Sequence, residues 1–213
     1  MQGFLSNLVE WIGVGVFALT GSLVAARKGM DPFGFALLAT VTGIGGGSIR
    51  DMLLGVPVFW IQDPTDVLVC VAVAGFTFVA GSRVPGLMAT VRANDLLLWA
   101  DGAGLAIFAV TGTAKAFAAG AHPITAVMLG ALTASFGGII RDILANDVPL
   151  VLHREIYVTA AFAGAAVYAA CLMVGLPSPA AGLVGISAGF SLRGLAIARD
   201  WSLPAFTPRT GEE

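Results

Sequence analysis

Seven apolar segments, each about as long as a membrane-spanning helix, make up most of this chain. A spanning helix needs about 20 mostly apolar residues, because the hydrocarbon layer of a bilayer is about 30 Å thick. Backbone polar groups find no water in that layer, so segments of this length and composition satisfy them within helices. The segments are residues 5–26, 33–55, 64–81, 95–118, 123–145, 154–174 and 179–198. The sequence therefore predicts an all-α integral membrane protein with seven transmembrane helices.

The charge content agrees with this class and excludes others. Only 11% of the residues are charged, against about 25% in a soluble domain, and the mean hydropathy is +0.90. We expect one transmembrane domain over residues 1–205 and a short cytoplasmic tail at 206–213. The first apolar run lacks a basic start and a cleavage site, which favours a permanent span. No basic tract indicates a nucleic-acid partner. The cysteines and histidines have no metal-ligand spacing, so no metal or other cofactor is expected.

Loop charges predict how the chain is oriented. Lysine and arginine concentrate in the loops of membrane proteins that face the cytoplasm. If the N-terminus is outside, the inward loops and the C-terminal end contain Arg27, Lys28, Arg83, Arg92, Arg154, Arg199 and Arg209. The outward loops then contain no lysine or arginine beyond Arg50, at the end of the second segment. We therefore expect the N-terminus outside and the C-terminus in the cytoplasm.

The chain also contains an internal repeat. Residues 13–53 align without a gap to residues 104–144, at an offset of 91, and 16 of the 41 pairs are identical. The identities include proline, arginine and aspartate, which chance similarity between apolar helices does not readily match. Duplication is therefore the expected origin of the two halves.

The number of segments in each copy determines how the halves are related. Each copy holds three spans, about 5–81 and about 95–174, so the second copy enters the membrane from the opposite side. The halves are therefore expected to be inverted repeats. The seventh segment, about 179–198, stands outside the repeat and is interpreted as a packing helix that completes the bundle or contacts a second subunit.

Glycine runs interrupt the second segment of each copy. Gly45, Gly46 and Gly47 follow one another in the first copy, and Gly137 and Gly138 occupy the matching place in the second. Each glycine inside a helix costs about 1 kcal/mol relative to alanine, so the runs predict a kink or an unwound turn. A broken helix is tolerated at that depth where its backbone lines a cavity or packs in protein. The alternative is a close crossing of two straight helices at the glycines.

Arginine–aspartate pairs follow both glycine runs, as Arg50-Asp51 and Arg141-Asp142. A structural salt bridge near each membrane surface explains them, and so does a polar vestibule at each mouth of a pathway. Both interpretations stay open.

Helical spacing adds hydroxyl and charged groups to the face that is duplicated between the first and fourth segments. Thr20 shares a face with Glu10 in the first segment, and Thr111 shares one with Asp101 and Lys115 in the fourth. Lys115 lies near the end of an apolar helix, so it either snorkels to the membrane surface or lines a wet cavity.

These motifs resemble those of the trimeric intracellular cation (TRIC) channels, in particular the prokaryotic branch. The resemblance covers about residues 5–200 and is carried by GIGGGSIRD at 43–51 and FGGIIRD at 136–142. Animal members have a lipid-binding Lys-Glu-Val motif where this chain has its first glycine run.

The resemblance implies a homotrimer in the inner membrane, with one pore for monovalent cations, mainly potassium, in each subunit. By the family pattern the glycines of the second and fifth helices line that pore. Lys115 matches a basic residue that the family links to voltage response, and bound lipid is compatible with the resemblance.

Other function classes fit the sequence less well. Inverted repeats also suit a secondary transporter of a small solute such as glycine, although seven spans are few for a rocking carrier. An intramembrane enzyme is not expected, because there is neither an HExxH motif nor a serine nucleophile elbow. A purely structural assembly protein gives little reason for duplicated charges beside duplicated glycine runs.

Overall fold

The computed structural model describes residues 2–84, 86, 95–153 and 155–204, with side chains from residue 7 onward. Within these ranges the chain is helical, apart from loops and one isolated bridge between Glu155 and Ser202. The long helices are α1 (Gln2–Lys28), α2 (Pro32–Leu54), α3 (Thr65–Arg83), α4 (Leu96–Ala118), α5 (Pro123–Leu144), α6 (Val158–Met173) and α7 (Ser178–Ala198). One-turn helices at Phe59–Gln62 and Leu150–Leu152 follow α2 and α5. The expected cytoplasmic tail, Arg92, Arg154 and Arg209 lie outside the described residues.

Six of these helices are long and apolar enough to cross a membrane, and the sixth in order, α6, is shorter. Its 16 residues span about 24 Å at 1.5 Å per residue. The predicted segment 154–174 begins earlier than the helix, which starts at Val158. Glu155 lies before the helix, where it forms a bridge with Ser202 and an ion pair with Arg193. Large apolar side chains cover the outer surface of the bundle, for example Phe33, Phe76 and Leu183, which are 84%, 76% and 70% exposed. This surface suits a lipid solvent rather than water.

The repeat produces the same helix–turn–helix twice. Gly29 and Gly120, at the 91-residue offset, both adopt positive φ angles after the first helix of their copy. Asp31 and His122 then cap α2 and α5, each accepting a hydrogen bond from a backbone N–H of the first turn. Proline follows each cap at the first helical position, where its missing N–H costs nothing. The boundaries predicted at these turns are therefore confirmed.

The glycine runs are helical and not unwound. Both α2 and α5 continue through them as α-helices, so the prediction of an unwound turn is wrong. A Cβ added at Gly46 would overlap the carbonyl oxygen of Thr133 on α5, and one at Gly137 would overlap that of Thr42 on α2. The glycines therefore let the two backbones touch, which is the close crossing left open as the alternative. Their cost in helix propensity is offset by this packing.

The contacts at this crossing are reciprocal. Gly46 and Gly137 are equivalent positions of the two copies, and so are Thr42 and Thr133. Helices α1 and α4 repeat the pattern, since Phe17 packs on Gly104 while its equivalent Phe108 lies beside Gly13. The two phenylalanine rings meet with their centroids 5.1 Å apart. Equivalent residues therefore exchange the same contacts across the centre of the molecule.

Helix α7 packs against α4 and α6 and completes the bundle, as one of the two interpretations predicted. Gly164 of α6 and Gly185 and Gly189 of α7 bring these helices into backbone contact. Arg193 of α7 is buried and donates to Glu155 over 2.5 Å. This ion pair fixes the chain just before α6 begins.

Candidate functional site

Both arginine–aspartate motifs form buried ion pairs, built in the same way. Arg50 donates from Nε and Nη2 to Oδ1 of Asp51, at 2.8 and 2.7 Å. Oδ2 of Asp51 accepts from the amide of Phe59 at 3.1 Å. In the second copy, Nε of Arg141 donates to Asp142 at 2.8 Å, and Asp142 accepts from the amide of Leu150 at 3.2 Å. Each aspartate therefore holds its arginine and the start of the short helix that follows.

Arg141 belongs to a larger group that we call the second-repeat cluster: Arg141, Asp142, Asp101, Thr20 and Tyr157. Nη1 of Arg141 donates to Oδ1 of Asp101 at 2.6 Å and to Oγ1 of Thr20 at 2.9 Å. Arg141 is 1% exposed, Asp101 0% and Tyr157 2%. Thr20 and Arg141, both predicted as site residues, are therefore hydrogen-bonded to each other.

Arg50 belongs to the equivalent group, the first-repeat cluster: Arg50, Asp51, Glu10, Lys115 and Asp66, with Thr111 included because it is the counterpart of Thr20. Lys115 forms an ion pair with Glu10, and its Nζ lies 4.8 Å from the centroid of the Phe59 ring. The Lys115 side chain is 34% exposed and that of Glu10 is 16% exposed. Lys115 is therefore paired rather than free, and it lies beside the same short helix that Asp51 holds.

Two polar atoms of the first-repeat cluster are buried without a hydrogen-bond partner among the described residues: Oδ1 of Asp66 and Oγ1 of Thr111. Asp66 is 7% exposed, in the first turn of α3. In a low-dielectric interior an unpaired polar atom is costly. Oδ2 of Asp101 and the hydroxyl of Tyr157 in the second-repeat cluster are likewise buried without a partner among the described residues, so neither cluster is fully satisfied.

The two clusters lie at opposite ends of the bundle. Glu10 is near the start of α1, whereas Arg27 and Lys28 end that helix and both pair with Asp147. Residues 10 and 27 are about 25 Å apart along a helix. The hydrogen bond from Lys28, together with the charge of Arg27, holds the pKa of Asp147 below its ordinary value of 3.8.

A cavity of about 560 Å³ reaches the second-repeat cluster from this end. Arg141 and Asp142 contribute to its wall, and its lining residues are Leu23, Arg27, Asp95, Leu97, Leu98, Arg141, Asp142, Asp147, Val148, Leu150 and His153. A cavity therefore lies beside one of the two arginine–aspartate motifs, and the vestibule interpretation stays a prediction.

The five predicted glycines face protein in this structure. A Cβ at Gly47 would meet Phe59 at 2.7 Å, one at Gly138 would meet the hydroxyl of Tyr157 at 3.0 Å, and one at Gly45 would meet Ile140 at 3.2 Å. As far as the described residues show, none of the five lines the cavity. The structure therefore places them between the two clusters, in packed contacts.

Sequence reasoning missed Asp66, Tyr157 and Phe59. Asp66 and Tyr157 occupy equivalent positions, 91 residues apart, but share no chemistry, so identity alone did not reveal them. Extending the alignment beyond Leu53 and Leu144 would have paired the two positions. In the described part of the chain, no three His, Cys, Asp or Glu side chains converge as a metal site.

A family model described as "Glycine transporter" matches the chain twice, over residues 7–82 and 98–173. The two matches are 91 residues apart, which is the offset of the internal repeat. The UPF0126 inner membrane protein YadS of Escherichia coli K12 is 41% identical over 207 residues, covering 93% of this chain and 96% of YadS.

Solved structures extend the likeness to the fold. A TRIC trimeric intracellular cation channel orthologue from Rhodobacter sphaeroides is 44% identical, with a TM-score of 0.85, over 92% of this chain and 99% of that one. This chain belongs to the TRIC channel family. A prokaryotic TRIC channel crystallised in 0.5 M KCl is 31% identical, with a TM-score of 0.84, over 94% of this chain and 99% of that one.

The family assignment confirms the resemblance drawn from the two motifs. It makes this TRIC family member an integral membrane protein, and its relatives are channels and membrane proteins rather than enzymes. The prediction against an enzyme is thereby confirmed.

Proposed function

We propose that this TRIC family member is a channel for monovalent cations, mainly potassium, that assembles as a homotrimer with one pore in each subunit. The observation that carries the proposal is the match over nearly the whole chain to the R. sphaeroides TRIC channel orthologue, at 44% identity. The charges of the first-repeat cluster also support a cation as the permeant ion. With every group ionised, Glu10, Asp51 and Asp66 outweigh Arg50 and Lys115 by one negative charge, and such an excess attracts cations.

The proposed route runs between the two clusters, past the crossing of α2 and α5. The reciprocal contacts at Gly46 and Gly137 support inverted repeats related by an axis in the membrane plane. Because the backbones touch there, conduction requires the crossing to loosen, so we assign the gate to these glycines together with Gly45, Gly47 and Gly138. Arg50-Asp51 and Arg141-Asp142 then shape the two mouths.

Orientation and location follow from the basic residues and the relatives. Arg27 and Lys28 lie at the end of α1, which supports an N-terminus outside and a C-terminus in the cytoplasm. An inner membrane location is supported by YadS. Bound lipid is proposed only as an accessory of the trimer.

Reconstitution in a planar bilayer with a potassium gradient tests the channel. We expect discrete conductance steps and a reversal potential near that of potassium. A reversal potential at zero, or currents without unitary steps in a preparation of verified protein, would contradict the proposal.

Lys115 is proposed to respond to the membrane potential. A full charge crossing the membrane field is worth about 2.3 kcal/mol per 100 mV. Lys115→Gln is therefore expected to raise basal cation flux or flatten its voltage dependence in single-channel recordings. Unchanged currents would remove Lys115 from the pathway.

A second candidate is a secondary transporter of a small solute such as glycine, which the description of the matching family model favours. Inverted repeats also suit alternating access. Glycine uptake into proteoliposomes that saturates with concentration and shows exchange, without unitary currents, would favour the carrier over the channel.

A further inference from the structure

The two clusters are built from equivalent positions but have different hydrogen bonds and ion pairs. At the 91-residue offset, Arg50 corresponds to Arg141, Glu10 to Asp101, and Thr111 to Thr20. In the second-repeat cluster the three corresponding residues are bonded together, since Nη1 of Arg141 donates to both Asp101 and Thr20. The corresponding bonds of Arg50 to Glu10 and Thr111 are absent among the described residues.

Arg50, Thr111 and Glu10 each lack the bond that the corresponding residue makes in the second-repeat cluster. Arg50 donates to Asp51 through Nε and Nη2, and its Nη1 has no partner in the part of the chain that the structure describes. Oγ1 of Thr111 is buried and unpartnered within the same part. Glu10 is paired, but with Lys115 instead of Arg50. The acid at this position therefore pairs with Lys115 in the first-repeat cluster, whereas its counterpart Asp101 pairs with Arg141 in the second-repeat cluster.

Lys115 breaks the equivalence at Glu10, because it forms the ion pair that Arg50 does not. Its counterpart in the first copy is Val24, which is buried and carries no charge. No basic side chain at position 24 competes for Asp101, so Arg141 keeps it. Lys115 does compete for Glu10, and Arg50 is left with Asp51.

The two possible partners of Glu10 both lie near one aromatic ring. Nζ of Lys115 is 4.8 Å and Cζ of Arg50 is 5.9 Å from the centroid of Phe59. Both cations therefore lie in one neighbourhood, at the end of α2. A rotation of the long arginine side chain is a smaller movement than any helix displacement.

We propose that Lys115 and Arg50 are alternative partners of Glu10. When Lys115 leaves, Arg50 turns Nη1 to Glu10 and to Thr111 and reproduces the bonds that Arg141 already makes in the other half. The first-repeat cluster thus has two states, and Glu10 and Thr111 are its switching residues. Any effect of this exchange on conduction rests on the proposed function. The exchange itself is a change of hydrogen-bond partners, and it can be measured without measuring ion flux.

The first test is the structure of the Lys115→Met variant, which removes the charge and keeps the length of the side chain. We expect Arg50 within about 3.2 Å of both the Glu10 carboxylate and the Thr111 hydroxyl, the range of ordinary hydrogen bonds. If Arg50 keeps Asp51 alone and Glu10 stays unpaired in this variant, the exchange is refuted.

The second test measures thermal unfolding of the purified protein. Thr111→Val should leave the Tm of the wild type unchanged or raise it, because the buried hydroxyl has no partner among the described residues there. In the Lys115→Met background it should lower the Tm by about 2–4 °C, since one hydrogen bond is worth about 1 kcal/mol.

Thr20→Val is the matched control, because Thr20 already accepts from Arg141. It should lower the Tm by a similar amount in both backgrounds. Equal effects of Thr111→Val in the two backgrounds would overturn the exchange. Failure to conduct potassium would leave these temperatures unaffected, so the two proposals fail separately.

Discussion

At the scale of single residues, the carboxylates decide how the ends of the bundle hold together. Asp101 is fully buried, and its Oδ1 accepts from Arg141 at 2.6 Å. Asp147 is 29% exposed and shares its carboxylate between Arg27 and Lys28. The same functional group thus has very different solvent access at two places near one end of the protein.

Asp101→Asn is expected to destabilise the protein strongly, because it leaves the buried Arg141 with one acid fewer. Removing one partner of a buried ion pair costs about 3–5 kcal/mol. Thermal unfolding of purified protein measures the loss. Asp147→Asn is the exposed control, expected to cost less than about 1 kcal/mol, and similar losses in the two variants would contradict the assignment.

Asp147 also gives a pH dependence. Its pKa is held below 3.8 in the folded protein by Lys28 and Arg27, so its ionised form is bound more tightly than in the unfolded chain. The stabilisation is fully present above pH 3.8 and is lost as the pH falls through the lower, folded value. The Tm difference between wild type and Asp147→Asn should therefore be constant at neutral pH and vanish in strong acid. A difference that grows as the pH falls would contradict the sign.

At the scale of helices, the two halves meet chiefly at two crossings, that of α2 with α5 and that of α1 with α4. Sequence alone predicted the helices, because long apolar segments are separated by turns that contain proline, such as Pro32 and Pro123; it did not predict the caps. It did not predict that the glycine runs stay helical, since propensity describes one helix in isolation. Whether Gly46 bends a helix or admits a neighbour depends on Thr133, which is 87 positions away.

Gly46→Ala tests the crossing. The added Cβ would overlap the Thr133 carbonyl oxygen, and overpacking of this kind costs about 1–3 kcal/mol. Gly75→Ala in α3 is the control, because a Cβ there meets nothing within 4 Å and alanine is the better helix former by about 1 kcal/mol. Thermal unfolding should show a loss for the first variant and none for the second; a neutral Gly46→Ala would show that the helices are not tightly apposed.

The candidate site was only partly accessible from sequence for a related reason. The arginine–aspartate pairs were recognisable because they are adjacent and duplicated. The bond between Arg141 and Thr20 joins residues 121 positions apart, and the capture of Glu10 by Lys115 joins residues 105 positions apart. Pairings of this range depend on how the helices pack, which no local pattern contains.

At the scale of the whole molecule, the fold places equivalent turns at opposite ends. Met30 and Ala121 are equivalent positions in the loops that follow α1 and α4. If the halves are inverted, these loops face opposite sides of the membrane.

Cysteine labelling in cells tests this arrangement, in a background where Cys70 and Cys171 are alanine. A membrane-impermeant maleimide should label Ala121→Cys in intact cells and label Met30→Cys only after permeabilisation. Labelling of both residues from the same side would exclude inverted repeats, whatever the protein transports.

The reciprocal crossing also bears on ancestry. Gly46 contacts the backbone of Thr133, and Gly137 contacts the backbone of Thr42. Each half therefore contacts the other through the same surface. Such a self-complementary surface is what two identical subunits use when they associate about a two-fold axis. Before the duplication, a single-copy three-helix protein would have needed only this surface to form an antiparallel dimer. Fusion of two such genes would have joined partners that already fitted each other and left the two ends free to diverge.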